Sequence, residues 1–181
     1  MKISKKIFLA MLAVPFILAA GVYLFGPKDL SSDAPISSVA PNANAAIATA
    51  RFYDLDDKVQ ALEQWKGKII VVNFWATWCP PCIAEIPEFI KIQKKYEKQG
   101  VQFVGIAIDQ KSKVQAFAKE TKMNYPVLLG DLAGIDLAKR IGNTNGGLPY
   151  SVIVDRKGNV VETQLGTLSQ EKLESIIKPL L

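Results

Sequence analysis

The sequence predicts an α/β domain, a central mixed sheet with helices on both faces, held behind a single transmembrane helix. Three patterns carry that reading. Two continuous apolar runs, Ile69–Trp75 and Val101–Ile108, have the length and composition of strands covered on both faces. Segments of helical period alternate with them, and two β-rich runs near the C-terminus read as a hairpin. Ahead of all this, Ile7 to Phe25 is a run of 19 residues without a charge.

At about 1.5 Å per residue that run reaches roughly 28 Å, close to the ~30 Å hydrocarbon layer of a bilayer. Lys2, Lys5 and Lys6 precede it. The positive-inside rule keeps residues 1–6 in the cytoplasm and sends the remainder across. Residues 7–25 are therefore expected to be an uncleaved signal anchor. A cleaved signal peptide is the rival reading, with Ala43-Asn-Ala-Ala46 resembling a cleavage site, but its apolar core is usually only about 7–15 residues. Both readings put the domain on the extracytoplasmic, periplasmic side of the cell membrane, where disulfides persist. Residues 26–50 are rich in Ala, Ser, Pro and Asn, show no apolar period, and are expected to form a flexible linker. The folded domain is expected over residues 51–181.

Within it, Phe52 to Trp65 reads as a short hairpin or a strand with a one-turn helix. After the strand at 69–75, Pro80 and Pro81 open a helix, where a missing N–H costs nothing. Ile83, Ile86, Phe89, Ile90 and Tyr96 fall near one face of it, Pro87 should kink it, and Gly100 ends it. Lys113–Lys122 reads as a second helix with Val114, Phe117 and Ala118 inward. Pro126–Leu129 is a short strand, and Leu132–Ile141 a third helix stopped by Gly142. Tyr150–Val154 and Val160–Leu165 form the hairpin about an Asp155–Asn159 turn. Ser169 caps a last helix that turns Leu173, Ile176 and Ile177 to the core.

The chain has 181 residues, 49% of them hydrophobic, enough for a core that needs no disulfide staples. It has two cysteines and no histidine, which excludes Ser-His-Asp and Cys-His nucleophiles. Ile83 follows the second cysteine where a c-type haem motif needs His, and a Cys/His zinc site would lack ligands. No cofactor or metal is expected. Lys2, Lys5, Lys6 and Lys28 account for most of the net charge of +5, so the folded part is nearly neutral. Lys91, Lys94, Lys95 and Lys98 sit at helical spacing and read as a solvated face, not a nucleic-acid stripe.

The chemistry is expected at Trp78-Cys-Pro-Pro-Cys82. Two cysteines separated by two residues at a strand-to-helix junction can close a small ring. Cys79 would sit at the helix N-terminus, where partial positive charge and free N–H groups favour thiolate over thiol. The thiolate is the nucleophile of disulfide exchange. Cys82, one turn inside the helix, would be more buried and would resolve the mixed disulfide. A purely structural bridge is the bland alternative, but so short a loop stabilises by only about 2 kcal/mol.

Val72-Asn-Phe-Trp-Ala-Thr-Trp-Cys-Pro-Pro-Cys82, Ala84-Glu-Ile-Pro87, Gly147-Leu-Pro-Tyr-Ser-Val-Ile-Val-Asp155 and Gly158-Asn-Val160 together resemble the thioredoxin-like TlpA/ResA/DsbE family of membrane-anchored thiol–disulfide oxidoreductases. The resemblance covers nearly all of 51–181. It implies a thioredoxin fold with an N-terminal extension, Cys79 as attacking thiol and Cys82 as resolving thiol. It also implies that Pro149 is a cis-proline beside the cysteines, turning the Leu148 backbone outward to pair with an extended substrate segment. In thioredoxin an aspartate beneath the cysteines moves the resolving thiol's proton. The matching position here is Asn73, which cannot titrate, and the family pattern places the acid at Glu85, on one helical face with Cys82. Burial would raise its pKa into a useful range. Trp78, with Pro80 and Pro81, is expected on the docking surface, Trp75 in the packing, and Glu88 in solvent.

The function implied is reduction of protein disulfides, with electrons from a membrane donor of the DsbD/CcdA type and an apocytochrome c as one candidate substrate. The alternatives are a DsbA-like oxidase or isomerase, a thioredoxin-fold peroxidase, and a non-enzymatic membrane-tethered binding module. Pro-Pro between the cysteines does not fix a potential, and reductants and oxidants of this fold lie roughly 150 mV apart.

Overall fold

The computed structural model of the chain describes residues 40–181. The expected anchor at 7–25, its flanking residues 1–6 and the first part of the linker lie outside them. Among the described residues no helix is long and apolar enough to cross a membrane.

The elements run α1 (Ala43–Thr49), β1 (Arg51–Asp54), β2 (Val59–Ala61), a 3₁₀ turn (Leu62–Trp65), β3 (Ile69–Trp75), α2 (Pro80–Tyr96), β4 (Val101–Ala107), α3 (Lys111–Glu120), β5 (Val127–Leu129), α4 (Asp131–Ile141), β6 (Tyr150–Val154), β7 (Val160–Leu165) and α5 (Gln170–Ile177). The strands form one sheet in the order β2-β1-β5-β4-β3-β6-β7. β3 pairs with β4 and β4 with β5 in parallel, while the remaining pairs are antiparallel. This is the expected mixed sheet of a thioredoxin-like α/β fold.

Every residue of β3 is buried, because both faces of this central strand are covered. Alternation sorts its side chains. Ile70, Val72 and Phe74 join a core with Ala43, Ala46 and Ile47 of α1 and Leu137, Ala138 and Ile141 of α4. Ile69 and Val71 point the other way, into a core with Phe89, Ile92 and Tyr96 of α2 and Leu173 and Ile177 of α5. Trp75 ends the strand in a third cluster with both cysteines, Ile86 of α2 and Val114 of α3. α2 runs unbroken through Pro87. Of its expected inner face, Ile86, Phe89 and Tyr96 are buried, with Ile83 and Ile90 half-buried. Lys91, Lys94, Lys95 and Lys98 are exposed, Lys91 paired with Glu88 and Lys95 with Glu174. Ser169 Oγ accepts the Lys172 N–H and caps α5.

The expected linker over 26–50 is corrected in its last part. Residues 43–49 are helical, and Asn44 ties them to the hairpin by accepting the Val160 N–H at 2.8 Å. Alanine lets this helix approach α4 and the sheet closely, so it is folded despite having one large apolar residue. Its signal is the spacing of Ala43, Ala46, Ile47 and Ala50, one helical face in small residues. The resembled cleavage site at 43–46 lies inside this helix.

Candidate active site

The site is built where β3 hands over to α2. Trp75 O accepts the Ile108 N–H at 2.8 Å, so β3 and β4 end side by side, and the chain then turns through Ala76, Thr77 and Trp78. Thr77 is held twice by Asp109: its backbone N–H and its hydroxyl both donate to Oδ2, while Gln110 N–H donates to Oδ1 at 2.7 Å. Burial pushes the Asp109 carboxyl up, but the hydrogen bonds from Thr77 and Gln110, with the charge of Lys113, outweigh it and hold it below the ordinary range.

Cys79 is the N-cap residue of α2, and Pro80 and Pro81 fill the first turn, both exposed. Cys79 and Cys82 form a disulfide with Cα atoms 5.3 Å apart. Both cysteines are buried, Cys82 fully and Cys79 with 4% exposure, so Cys79 is the one of the two that reaches solvent at all. Trp78 beside it is 63% exposed. Trp75 is fully buried and packs on Phe117 at 5.2 Å between ring centroids. Its indole N–H has no hydrogen-bond partner among the described residues.

The Leu148–Pro149 peptide bond is cis. Leu148 packs against the cluster that contains both cysteines. Among the described residues its backbone N–H and C=O enter no backbone hydrogen bond, whereas the neighbouring Pro149 O accepts from Gly166 N–H at 2.9 Å.

Three residues after Cys82 on α2 comes Glu85, 5% exposed. Its Oε1 accepts from Asn73 Nδ2 at 2.9 Å and its Oε2 from the Leu168 N–H at 3.0 Å. Asn73 Nδ2 also donates to Ser151 Oγ at 3.0 Å. Asn73 and Ser151 are register partners on β3 and β6, which puts both side chains on the face that α2 covers. Burial raises the Glu85 pKa to about 7, against the two hydrogen bonds that favour the carboxylate. Asn73 thus serves as a donor to the acid. Leu168 and Ser151 join the network from sequence positions that local pattern does not single out. Glu88 is half-buried rather than fully solvated. Among the described residues no group of acids and cysteines could hold a metal.

A thioredoxin-like sheet with a CxxC disulfide at a helix start, and a cis-proline whose preceding residue packs against the cysteine cluster, defines a thiol–disulfide oxidoreductase. The chain belongs to the redoxin family, whose model matches residues 37–179. Thiol-disulfide oxidoreductase ResA of Bacillus anthracis is 34% identical over 128 residues, covering 69% of this chain and 70% of that one. The thioredoxin-like protein YneN of Bacillus subtilis is 34% identical over 123 residues, covering 66% and 69%. Among solved structures, a thiol:disulfide interchange protein of the thioredoxin family from Chlorobium tepidum superposes with a TM-score of 0.66 at 34% identity, over 74% of this chain and 93% of that one. DsbF of Mycobacterium tuberculosis gives 0.65 at 28% identity, over 75% and 98%.

Proposed function

We propose that this protein is a membrane-anchored reductase of protein disulfides, working on the extracytoplasmic side through the Cys79–Cys82 dithiol. The observation that supports it most is the asymmetry of the pair: one cysteine at the helix start and marginally exposed, the other fully buried, with a buried acid of pKa about 7 in the next turn.

In the forward direction the Cys79 thiolate attacks one sulfur of a substrate disulfide. A Cys79–substrate disulfide forms and the other substrate sulfur leaves as thiolate. Glu85, as carboxylate, takes the proton of Cys82. The Cys82 thiolate attacks Cys79 Sγ, the second substrate sulfur departs with the electron pair, and the Cys79–Cys82 disulfide remains. The substrate has gained two electrons and the enzyme has lost two. Leu148 pairs its free backbone groups with the substrate strand, and Trp78, Pro80 and Pro81 supply exposed contact surface around Cys79.

The uncharged run at 7–25 supports anchoring, and tethering raises the effective concentration of the domain near a membrane donor. The resemblance to the TlpA/ResA/DsbE family supports a DsbD/CcdA-type donor and an apocytochrome c as substrate. The test is acid-quenched trapping in cells of a Cys82→Ala variant. Mixed disulfides with extracytoplasmic cysteine proteins are expected, and they vanish when Cys79→Ser is added. A wild-type potential near the DsbA end of the scale would replace the reductase assignment with an oxidase.

A further inference from the structure

The connection from α4 to β6, residues 142–149, is closed at its base, where the Tyr150 hydroxyl donates to Ile141 O at 3.3 Å. Thr144, Asn145 and Gly146 are exposed, but Asn143 is turned inward and keeps only 4% exposure. A buried carboxamide needs partners at both of its ends, and here one residue supplies both. Asn143 Nδ2 donates to Gly147 O at 2.8 Å, and Oδ1 accepts the Gly147 N–H at 3.1 Å. This is the pair of bonds that a residue of a neighbouring antiparallel strand would make. Leu165 of β7 crowds the same glycine, its Cδ1 lying 2.9 Å from where a Cβ would stand. Pro149 is fixed as well, since its O accepts the Gly166 N–H. Leu148 is therefore carried between two held residues, with its own N–H and C=O free of backbone bonds among the described residues.

We propose that Asn143 is a positioning residue for disulfide exchange: its carboxamide fixes Gly147 so that the free peptide groups of Leu148 stand ready for a substrate strand. The inference rests on the reductase reading, in which Leu148 pairs with the substrate, and assigns the holding of that backbone to one side chain. Without the clamp, Gly146 and Gly147 would give the loop the freedom that only glycines confer. Leu148 would then have to be ordered in every encounter, and that cost would fall on the attack at the substrate disulfide. The residue type is specific to the task. A carboxamide sets one donor and one acceptor side by side, matching the C=O and N–H of Gly147. A carboxylate has acceptors alone and would face Gly147 O with a lone pair, whereas the protonated acid regains both functions.

The test uses the full-length reduced Cys82→Ala protein and a cysteine peptide carrying thionitrobenzoate in mixed disulfide. The Cys79 thiolate attacks the peptide sulfur, an enzyme–peptide disulfide forms, and thionitrobenzoate leaves as the coloured thiolate. The aromatic disulfide 5,5′-dithiobis(2-nitrobenzoate), which has no peptide backbone to pair, gives a reference rate. The quantity read is the peptide rate divided by it, and the parent protein run at every pH removes the titration of Cys79 and Glu85 from the comparison. Adding Asn143→Ala should lower the ratio by about tenfold. Adding Asn143→Asp should lower it as far at pH 8 and return it toward the parent value as the pH is taken down to 4.5. Lost packing alone would not follow the protonation of the introduced acid. A parent ratio in both variants at pH 8 would overturn the assignment, and so would an Asn143→Asp ratio that stays low down to pH 4.5. The two readings fail separately. If the reduced wild type leaves 5,5′-dithiobis(2-nitrobenzoate) unreacted, the reductase reading falls; if it reacts and the ratio ignores Asn143, only the positioning role does.

Discussion

Glu85 Oε2 accepts the Leu168 backbone N–H at 3.0 Å, so the loop ahead of the last helix closes over the acid three residues after Cys82. The other carboxylate oxygen is held from the sheet by Asn73. The acid is fixed from two elements far apart in sequence, and its ionisation is therefore coupled both to the fold and to the chemistry.

Glu85→Gln should change stability in a pH-dependent way. The acid's pKa is raised from 4.5 to about 7, so between those values the native state binds more protons than the unfolded one. Wild-type stability falls as pH rises through this window and is flat above it, with a total of at most about 3 kcal/mol. The glutamine variant lacks this loss. Urea unfolding from pH 4 to 8 should show the variant gaining on wild type across the window. The wild-type rate of disulfide exchange should carry an inflection near 7 that the variant lacks.

Asn73→Ala removes a hydrogen bond that favours the Glu85 carboxylate. The acid's pKa should move further up, and the inflection in the exchange rate with it. Above the window the variant should lose about 1–3 kcal/mol, because a buried carboxylate oxygen is left without its donor. Denaturant midpoints at alkaline and acidic pH measure the difference, which should shrink on the acidic side.

Asp109→Ala should loosen the turn that presents Trp78 and Cys79, since Thr77 loses both of its contacts there. Amide hydrogen exchange is the measurement, and faster exchange is expected at Thr77, with little change in β6 and β7. Asp109→Asn keeps an acceptor oxygen and should recover most of the protection.

Ile47→Ala tests the short N-terminal helix. Ile47 is 4% exposed and lies in one core with α4 and the sheet. Its truncation should cost about 2–4 kcal/mol, read as a lower denaturant midpoint at unchanged slope. A residue in a free linker would cost nothing.

The sequence makes the large elements legible because burial on both faces leaves a strong mark. β3 and β4 are unbroken apolar runs, and the β6–β7 hairpin is bounded as its turn residues require. The cysteines are readable from their spacing at a strand-to-helix junction, whereas the cis-proline and the place of Glu85 come from the resemblance to the family. α1 is harder, because alanines bury little area and resemble linker composition. The Asn73–Ser151 and Thr77–Asp109 contacts depend on strand register and on the way β3 and β4 end together, which no local window contains. Leu168 contributes through its main chain alone, so its side-chain identity carries no sign of the role.

Pro80 and Pro81, at the first two positions of α2, also limit how strongly the helix can stabilise an anion at its cap. A helix start ordinarily offers a row of unpaired amide hydrogens, and here the first belongs to Cys82. Replacing either imino acid by an ordinary residue adds a donor facing the sulfur anion. Such a replacement should make the reduced form easier to keep and the oxidised form a stronger electron acceptor, turning the intervening dipeptide into a dial between donor and acceptor behaviour.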